Sequence, residues 1–301
     1  MTGERETSES AYTALTDETR VRILLTLADQ YDEAWSSGWP TFSELREQVG
    51  VEDTSRFSYH LSELQDGFIQ KVDGRYRPRI AALEIVAAIR AGSYKTQNGD
   101  KQYEIEEQET KYGCPHCDRN LVAACREHHL YIGCPDHGAA VAYPTPPRAT
   151  ENRSLDAVID VTLRNHACDI RLLRNGVCPH CWGTAGLSLP RDSVPKTYLH
   201  QDVPYATAAC DTCWLSYPIP IAQTVLGHHA VETLYATHGL RPRDAQIGPH
   251  SLAEVSNVRT DEAEPTAAQV VVRLADGSVE FDLDENCRIR RYDASDTGPT
   301  Q

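Results

Sequence analysis

Apolar side chains in the first third of the chain recur at helical spacing, broken by capping and turn residues. In LTDETRVRILLTLAD, Val21, Leu24, Leu25 and Ala28 form one apolar stripe, and Thr16 or Asp17 can cap the helix they predict. Thr41 and Glu44 make a T-x-x-E capping box before a short helix, SELREQV, which Gly50 ends. Asp53 or Thr54 opens a third helix, SRFSYHLSELQ, with Gly67 as its stop. Phe57, Leu61 and Leu64 give that helix one buried face, and His60 at its edge is read as a packing residue. IQKVDGRYRP then predicts two short strands around an Asp-Gly turn. A last helix, RIAALEIVAAIRAG, is apolar on nearly every side from Ile80 to Ile89. A helix of that kind needs cover all round, and in a small domain a dimer partner is the expected cover.

The pattern changes after residue 95. Residues 96–112 are polar and acidic without an apolar period, as in a linker or an exposed helix end. LVAACREHHLYIG predicts two short strands. SLDAVIDVTLRNHACDIRLLRNG predicts a helix with Leu155, Val158, Ile159, Leu163, Ile170 and Leu173 inward and Gly176 at its end. PIAQTVLGHHAVETLYATHG predicts another, carrying Ala222, Leu226, Ala230 and Leu234 as a stripe with Val225 beside it. His228, His229 and Glu232 on it do not match a metalloprotease helix and read as a polar flank. AQVVVRLADGSVEFDLDENCRIRRYD alternates and turns at Asp276-Gly277, which predicts two or three antiparallel strands. Residues 293–301 are expected to be disordered.

Cysteine spacing carries the clearest chemistry. CPHC occurs at Cys114–Cys117 and again at Cys178–Cys181. After sixteen intervening residues Cys117 is followed by Cys134-Pro-Asp-His137, and after 28 intervening residues Cys181 is followed by Cys210-Asp-Thr-Cys213. Two-residue spacing lets both ligands of one turn reach a single ion, and two such turns complete a tetrahedron. The sequence therefore predicts two zinc ions, one held by Cys114, Cys117, Cys134 and His137, the other by Cys178, Cys181, Cys210 and Cys213. Four protein ligands leave no open position for water, so catalysis at these ions is not expected. A redox CxxC would need a thioredoxin-like βαβ setting, which the pattern lacks. Cys125, Cys168 and Cys287 are read as buried thiols, although Cys125 is near enough to His128 and His129 to serve as a substitute ligand. His116 and His180 are expected to point away from the metals. Trp182, Tyr198, Tyr205, Trp214 and Tyr217 either line a pocket or pack on the metal turns, the second being the commoner use.

The formal net charge is −15, and 24 of the 29 cationic side chains are arginines. Acid-rich, lysine-poor chains suit high intracellular salt, where carboxylates hold water and salt screens their repulsion. Against this background residues 54–95 carry seven cations and four acids, a net +3. The N-terminal MTGERETSES has no apolar core of a signal peptide, and no run of 18 apolar residues exists, so a cytoplasmic, non-membrane protein is expected.

The order helix, helix, tight turn, helix, hairpin over residues 12–95, with the opening DETRVRIL and the S-x-x-S-x-H-L-x-x-L run from Ser55 to Leu64, resembles the ArsR-type winged helix-turn-helix regulators. The resemblance implies a dimer whose third helix lies in the major groove of an operator. On that helix Ser55, Arg56, Tyr59 and Ser62 lie opposite the inward face, and the hairpin adds Lys71, Arg75, Arg77 and Arg79 for phosphates. ArsR-type proteins often sense metals through cysteines in this domain, but no cysteine precedes residue 114, so any sensing lies downstream. Residues 110–245, with NGVCPHCWG, the second thiol pair and PIAQ…YATHG, look like the C-terminal half of haloarchaeal ArsR-like proteins.

The expected fold class is thus α+β. A winged helix-turn-helix DNA-binding and dimerisation domain spans 1–95 and a linker 96–112. A zinc-ribbon-like module spans 113–147, and a second zinc-knuckle α+β domain, ending in an antiparallel hairpin, spans 148–292. The expected function is a dimeric DNA-binding transcriptional regulator, not an enzyme, whose C-terminal half serves as an effector or oligomerisation region for an unidentified small molecule or protein. Two other readings remain open: a metal- or thiol-responsive sensor using the four-cysteine site, and a zinc-ribbon adaptor that does not bind DNA.

Overall fold

The computed structural model describes residues 13–31, 38–65, 67–92, 104–114, 117–189, 205–240, 257–261, 264–274 and 277–296. The chain divides into two units, residues 1–96 and 97–301. It is of mixed α+β type, and its sheets are antiparallel.

In the first unit, α1 (Glu18–Asp29), α2 (Phe42–Val49) and α3 (Thr54–Leu64) precede β1 (Ile69–Val72), β2 (Arg75–Pro78) and α4 (Ile80–Ala91). Local chemistry sets each boundary. The Asp17 carboxylate accepts the Thr19 and Arg20 amides and starts α1. Thr41 and Glu44 form the reciprocal capping box of α2, and Gly50 closes it at φ 73°. Asp53 caps α3 by accepting the amides of Ser55 and Arg56. The β1–β2 turn places Asp73 and Gly74 at φ 50° and 79°, the left-handed pair a two-residue hairpin requires. The core joins Ile23, Leu24, Leu27, Leu45, Val49, Phe57, Leu61, Leu64, Ile69 and Tyr76 with Ala82 and Val86.

Two expectations for this unit need correction. The buried face of α1 is Thr19, Arg20, Ile23, Leu24 and Leu27, whereas Val21, Leu25 and Ala28 sit at its half-exposed margin. The apolar run is wide enough that its centre was misplaced by about one position. Helix α3 ends at Leu64 because Gln65 is already extended, two residues before Gly67. Helix α4, expected to need cover all round, buries Ala82 and Val86 in its own chain and leaves Ile80 76% exposed, so part of its apolar surface is uncovered there.

The second unit begins with β3 (Ile105–Gly113), β4 (Asn120–Arg126), β5 (His129–Cys134) and β6 (Gly138–Pro144), an antiparallel meander in sequence order. Residues 105–112 are therefore an edge strand, not a linker or helix end. Among the described residues β3 pairs only with β4, and its side chains are mostly exposed, which is why it lacks an apolar alternation. A short turn of helix, α5 (Pro147–Thr150), leads to α6 (Leu155–Arg174), capped by Ser154. Every apolar position predicted for α6 is buried.

After α6, β7 (Ala185–Ser188), β8 (Tyr205–Cys210) and β9 (Ser216–Pro220) form a three-stranded sheet. The helix predicted across 220–239 is broken. A 3₁₀ turn (Ile221–Val225) is followed, past Gly227, by α7 (His229–Thr237), with the His228 ring accepting the Ala230 amide as its cap. The apolar stripe continues through the break, so periodicity alone hides it. The predicted terminal hairpin is part of a four-stranded sheet, β10 (Asn257–Asp261), β11 (Glu264–Leu274), β12 (Gly277–Leu283) and β13 (Ile289–Asp296). Strand β13 thus includes residues 293–296, placed above in a disordered tail. Residues 297–301, Asp276 of the predicted turn and Tyr198 lie outside the described residues.

Helix α6 serves two cores. Its first half, Leu155, Val158, Ile159 and Leu163, packs with Leu121, Leu130, Ile132 and Tyr143 of the first sheet. Its last turns, Ile170 and Leu173, join Leu187, Ala208, Ile219, Val225, Tyr235, Val272 and Phe281. The strands of 113–147 thus share a core with the first half of α6.

Candidate metal centres and the exposed face of the third helix

Cys114 and Cys117 stand at the loop before β4, and Cys134 and His137 at the turn between β5 and β6. Their four ligand atoms lie within 4.8 Å of one another. Cys117 Sγ is 3.7 Å from Cys134 Sγ, and His137 Nδ1 is 3.6 Å from Cys114 Sγ and 3.4 Å from Cys134 Sγ. The hairpin between the two halves turns on Glu127 and His128 at φ 52° and 56°. Cys178, Cys181, Cys210 and Cys213 form the second cluster, again within 4.8 Å. Here Cys178 Sγ is 3.6 Å from Cys213 Sγ, and Cys181 Sγ is 3.5 Å from Cys210 Sγ. A tetrahedral ion with sulfur bonds of about 2.3 Å has S···S edges of about 3.8 Å, and S···N edges of about 3.6 Å. Both clusters have those dimensions, and each can hold a metal ion.

The knuckles share a backbone pattern. The amides of Cys114, Cys178 and Cys210 donate to the carbonyls of Arg119, Gly183 and Leu215, at 2.8, 2.9 and 3.0 Å. Further amides point at sulfur: His180 at Cys178 Sγ (3.4 Å), and Thr212 and Cys213 at Cys210 Sγ (3.3 and 3.5 Å). The amides of Cys213 and Thr212 pull the Cys210 thiol down to about 6. At Cys134 loss of solvent opposes the thiolate. Hydrogen bonds from the His137 ring and from the Asp136 and His137 amides outweigh it and bring the thiol to about 6. Thiolate, not thiol, is the form that binds metal. Trp182 takes φ 62° to close its knuckle, and a Cβ at Gly183 would stand 3.0 Å from Thr212 Oγ1 and 3.3 Å from Cys181 Sγ. The CPHCWG run thus needs its glycine for the close approach of the two turns.

The other cysteines divide. Cys125 and Cys287 are buried, and burial pushes their thiols up to about 11 and about 12. Neither joins a metal cluster among the described residues. Cys168 is exposed, contrary to expectation, because it lies on the solvent side of α6. His180 does point outward and stacks on Trp214 at 4.6 Å, while His116 lies outside the described residues. Trp214, 67% exposed, packs on the second knuckle through His180, whereas Trp182 is 83% exposed. Tyr205 is buried. His228 and His229 form no metal set among the described residues. They stack on each other and on Tyr292, whose hydroxyl is 3.0 Å from His229 Nε2.

In the first unit, Ser55, Arg56, Tyr59 and Ser62 share the exposed side of α3, opposite buried Phe57, Leu61 and Leu64. Lys71, Arg75, Arg77 and Arg79 are exposed on and beside the β1–β2 hairpin. Some are already engaged. Ser62 donates to the Tyr59 carbonyl, Arg75 reaches the Trp39 carbonyl and Glu44, and Arg79 donates to the Ile69 carbonyl. Arg56 and Arg77 have no ion-pair partner among the described residues. His60 is buried as predicted, with Asp17 3.6 Å from its Nδ1.

One buried polar cluster escaped the sequence reading. His166 Nε2 and the Tyr143 hydroxyl both donate to Gln223 Oε1, at 3.0 and 3.2 Å, and the two rings stack at 3.9 Å. Its members come from β6, α6 and the 3₁₀ turn, too far apart in sequence for any motif to join them.

Residues 111–289 match the family model described as Domain of unknown function (DUF7351). The match covers more than half of the chain, which belongs to that family. Residues 8–89 match a second model, Domain of unknown function (DUF7347). No curated protein and no solved structure matches. Among the described residues no helix is long and apolar enough to cross a membrane.

Proposed function

We propose that the chain is a dimeric, DNA-binding transcriptional regulator whose C-terminal unit is held together by two structural zinc ions. The observation that carries this reading is the exposed, acid-poor side of α3. A helix anchored by Phe57, Leu61 and Leu64 presents Ser55, Arg56, Tyr59 and Ser62 next to a hairpin with Lys71, Arg75, Arg77 and Arg79. This arrangement suits a winged helix-turn-helix, with α3 in the major groove and the hairpin on the flanking phosphates. A basic island within a chain of net charge −15 supports it. The uncovered apolar side of α4, including Ile80, suits a dimer contact. Zinc is the metal favoured by Cys₃His and Cys₄ sets with no free ligand position, and such closed sites stabilise a fold.

Phosphate contacts weaken steeply with salt, so binding in molar salt leans on base contacts and shape fit. The test is selection of binding sites from fragmented genomic DNA by zinc-loaded protein in molar KCl. Enrichment of a palindromic site, lost on Arg56→Ala, supports the proposal; no enrichment by intact, metal-loaded dimer overturns it.

A second reading, a thiol-responsive regulator, is favoured by the exposure of Cys181 in the four-cysteine cluster. It requires that an oxidant release one metal ion from this site and abolish DNA binding, both reversed by reductant and zinc.

A further inference from the structure

A cleft of about 510 Å³ opens in the second unit between the end of α6, β7 and the turn from β12 into β13. The chain carries 44 acidic side chains, yet among the described residues no aspartate or glutamate lines this cleft, whereas Arg174, Arg288, Arg290 and Arg291 do. Arg290 and Arg291 are paired with Glu285 and Asp282, at 3.3 and 3.2 Å. Arg174 and Arg288 have no carboxylate partner among the described residues.

Arg174 is the unusual member. It is half-buried in the last turn of α6, beside Arg171. The two guanidinium groups converge on Gly227, where a Cβ would meet Arg171 Nε at 3.5 Å and Arg174 Nη1 at 3.8 Å. Arg171 is paired with Glu232 at 3.1 Å, and Arg174 feels the charges of Arg171 and His228. Burial, and then the like charge of Arg171, push its pKa down. The helix C-terminus favours a cation there, but it does not supply the two acceptor oxygens that a guanidinium fork fits. A desolvated cation without a counter-charge is costly, and a bound anion would offset that cost.

The remaining walls say what kind of anion. Leu187 and Ile289 are apolar, and the His228 and Tyr292 rings meet edge to face at 4.6 Å. The volume falls in the range of small-molecule sites. We propose that this cleft binds a small organic anion, its carboxylate or phosphate held by Arg174 and Arg288 and its planar body set against the apolar and aromatic wall. The site does not depend on DNA binding by the first unit.

The test uses the full-length, metal-loaded protein in KCl with three probes: potassium phosphate, potassium benzoate and adenosine monophosphate. Each is titrated calorimetrically and by thermal melting. Binding of adenosine monophosphate above that of phosphate identifies an organic phosphate site. Binding of benzoate alone identifies a planar carboxylate site. Arg174→Gln and Arg288→Gln should each weaken binding about tenfold to a hundredfold, as expected for loss of a charge-assisted bidentate contact. Arg174→Lys, which keeps the charge but not the fork, should weaken it also. Without ligand, Arg174→Gln should melt at the wild-type temperature or above, because it removes an uncompensated charge. The proposal is overturned if no probe binds, if the probes bind the Arg174→Gln protein as well as wild type, or if that variant melts well below wild type in the absence of ligand.

Discussion

Acidification should destabilise the second unit through one residue, His166. Its ring is 4% exposed and donates through Nε2 to Gln223, which also accepts the Tyr143 hydroxyl. Burial lowers its pKa from 6.5 to about 4, against a small opposing effect of the Gln223 hydrogen bond. The folded state therefore keeps the ring neutral where the unfolded chain takes up a proton. The stability tied to this group is complete above pH 6.5 and declines as pH falls, until the folded ring itself protonates near pH 4. A gap of about 2.5 units corresponds to about 3 kcal/mol in full, of which about 2 kcal/mol is lost by pH 5. Substitution with glutamine keeps a donor toward Gln223 and removes the titration. Urea unfolding of wild type and His166→Gln, followed by circular dichroism from about pH 8 to pH 5, isolates the effect, because both proteins share every other titrating group. The wild type should lose stability faster than the variant by about 2 kcal/mol over that range. Parallel curves would refute a neutral, desolvated His166.

Other substitutions report on other parts of the account. Cys114→Ser and Cys178→Ser should each lower the metal content from two ions to one per chain by native mass spectrometry; retention of both ions, or loss of both, would contradict two independent sites. Thr41→Ala removes the hydroxyl that accepts the Glu44 amide and should cost about 1 kcal/mol in chemical denaturation; an unchanged midpoint would rule out a working capping box. Ile80→Glu places a charge on the open side of α4 and should convert a dimer to a monomer in light scattering with no loss of helix signal. A wild-type monomer, or a variant that stays dimeric, would remove α4 from the interface.

Short-range chemistry was readable from the sequence, and long-range chemistry was not. Asp17, Thr41, Asp53, Gly50 and the Asp73-Gly74 turn each act on residues a few positions away, and all lie where local rules put them. The residues of the two clusters were legible because each knuckle is a local turn, whereas the register that pairs β7 with β8 and brings Cys181 to Cys210 was not. The break at Gly227 and His228 was hidden by an apolar stripe that runs through it. β3 was missed because an exposed edge strand carries no alternation. The Tyr143–His166–Gln223 cluster and the arginine-lined cleft are made by elements that meet only on folding, so no window of sequence contains them.

The most direct test of the central claim is a hydroxyl-radical footprint on a fragment enriched by the zinc-loaded protein. A winged-helix dimer predicts two protected half-sites about one helical turn, roughly 10 base pairs, apart, both lost with Arg56→Ala. A single protected patch, protection indifferent to Arg56, or no protection at all would contradict it.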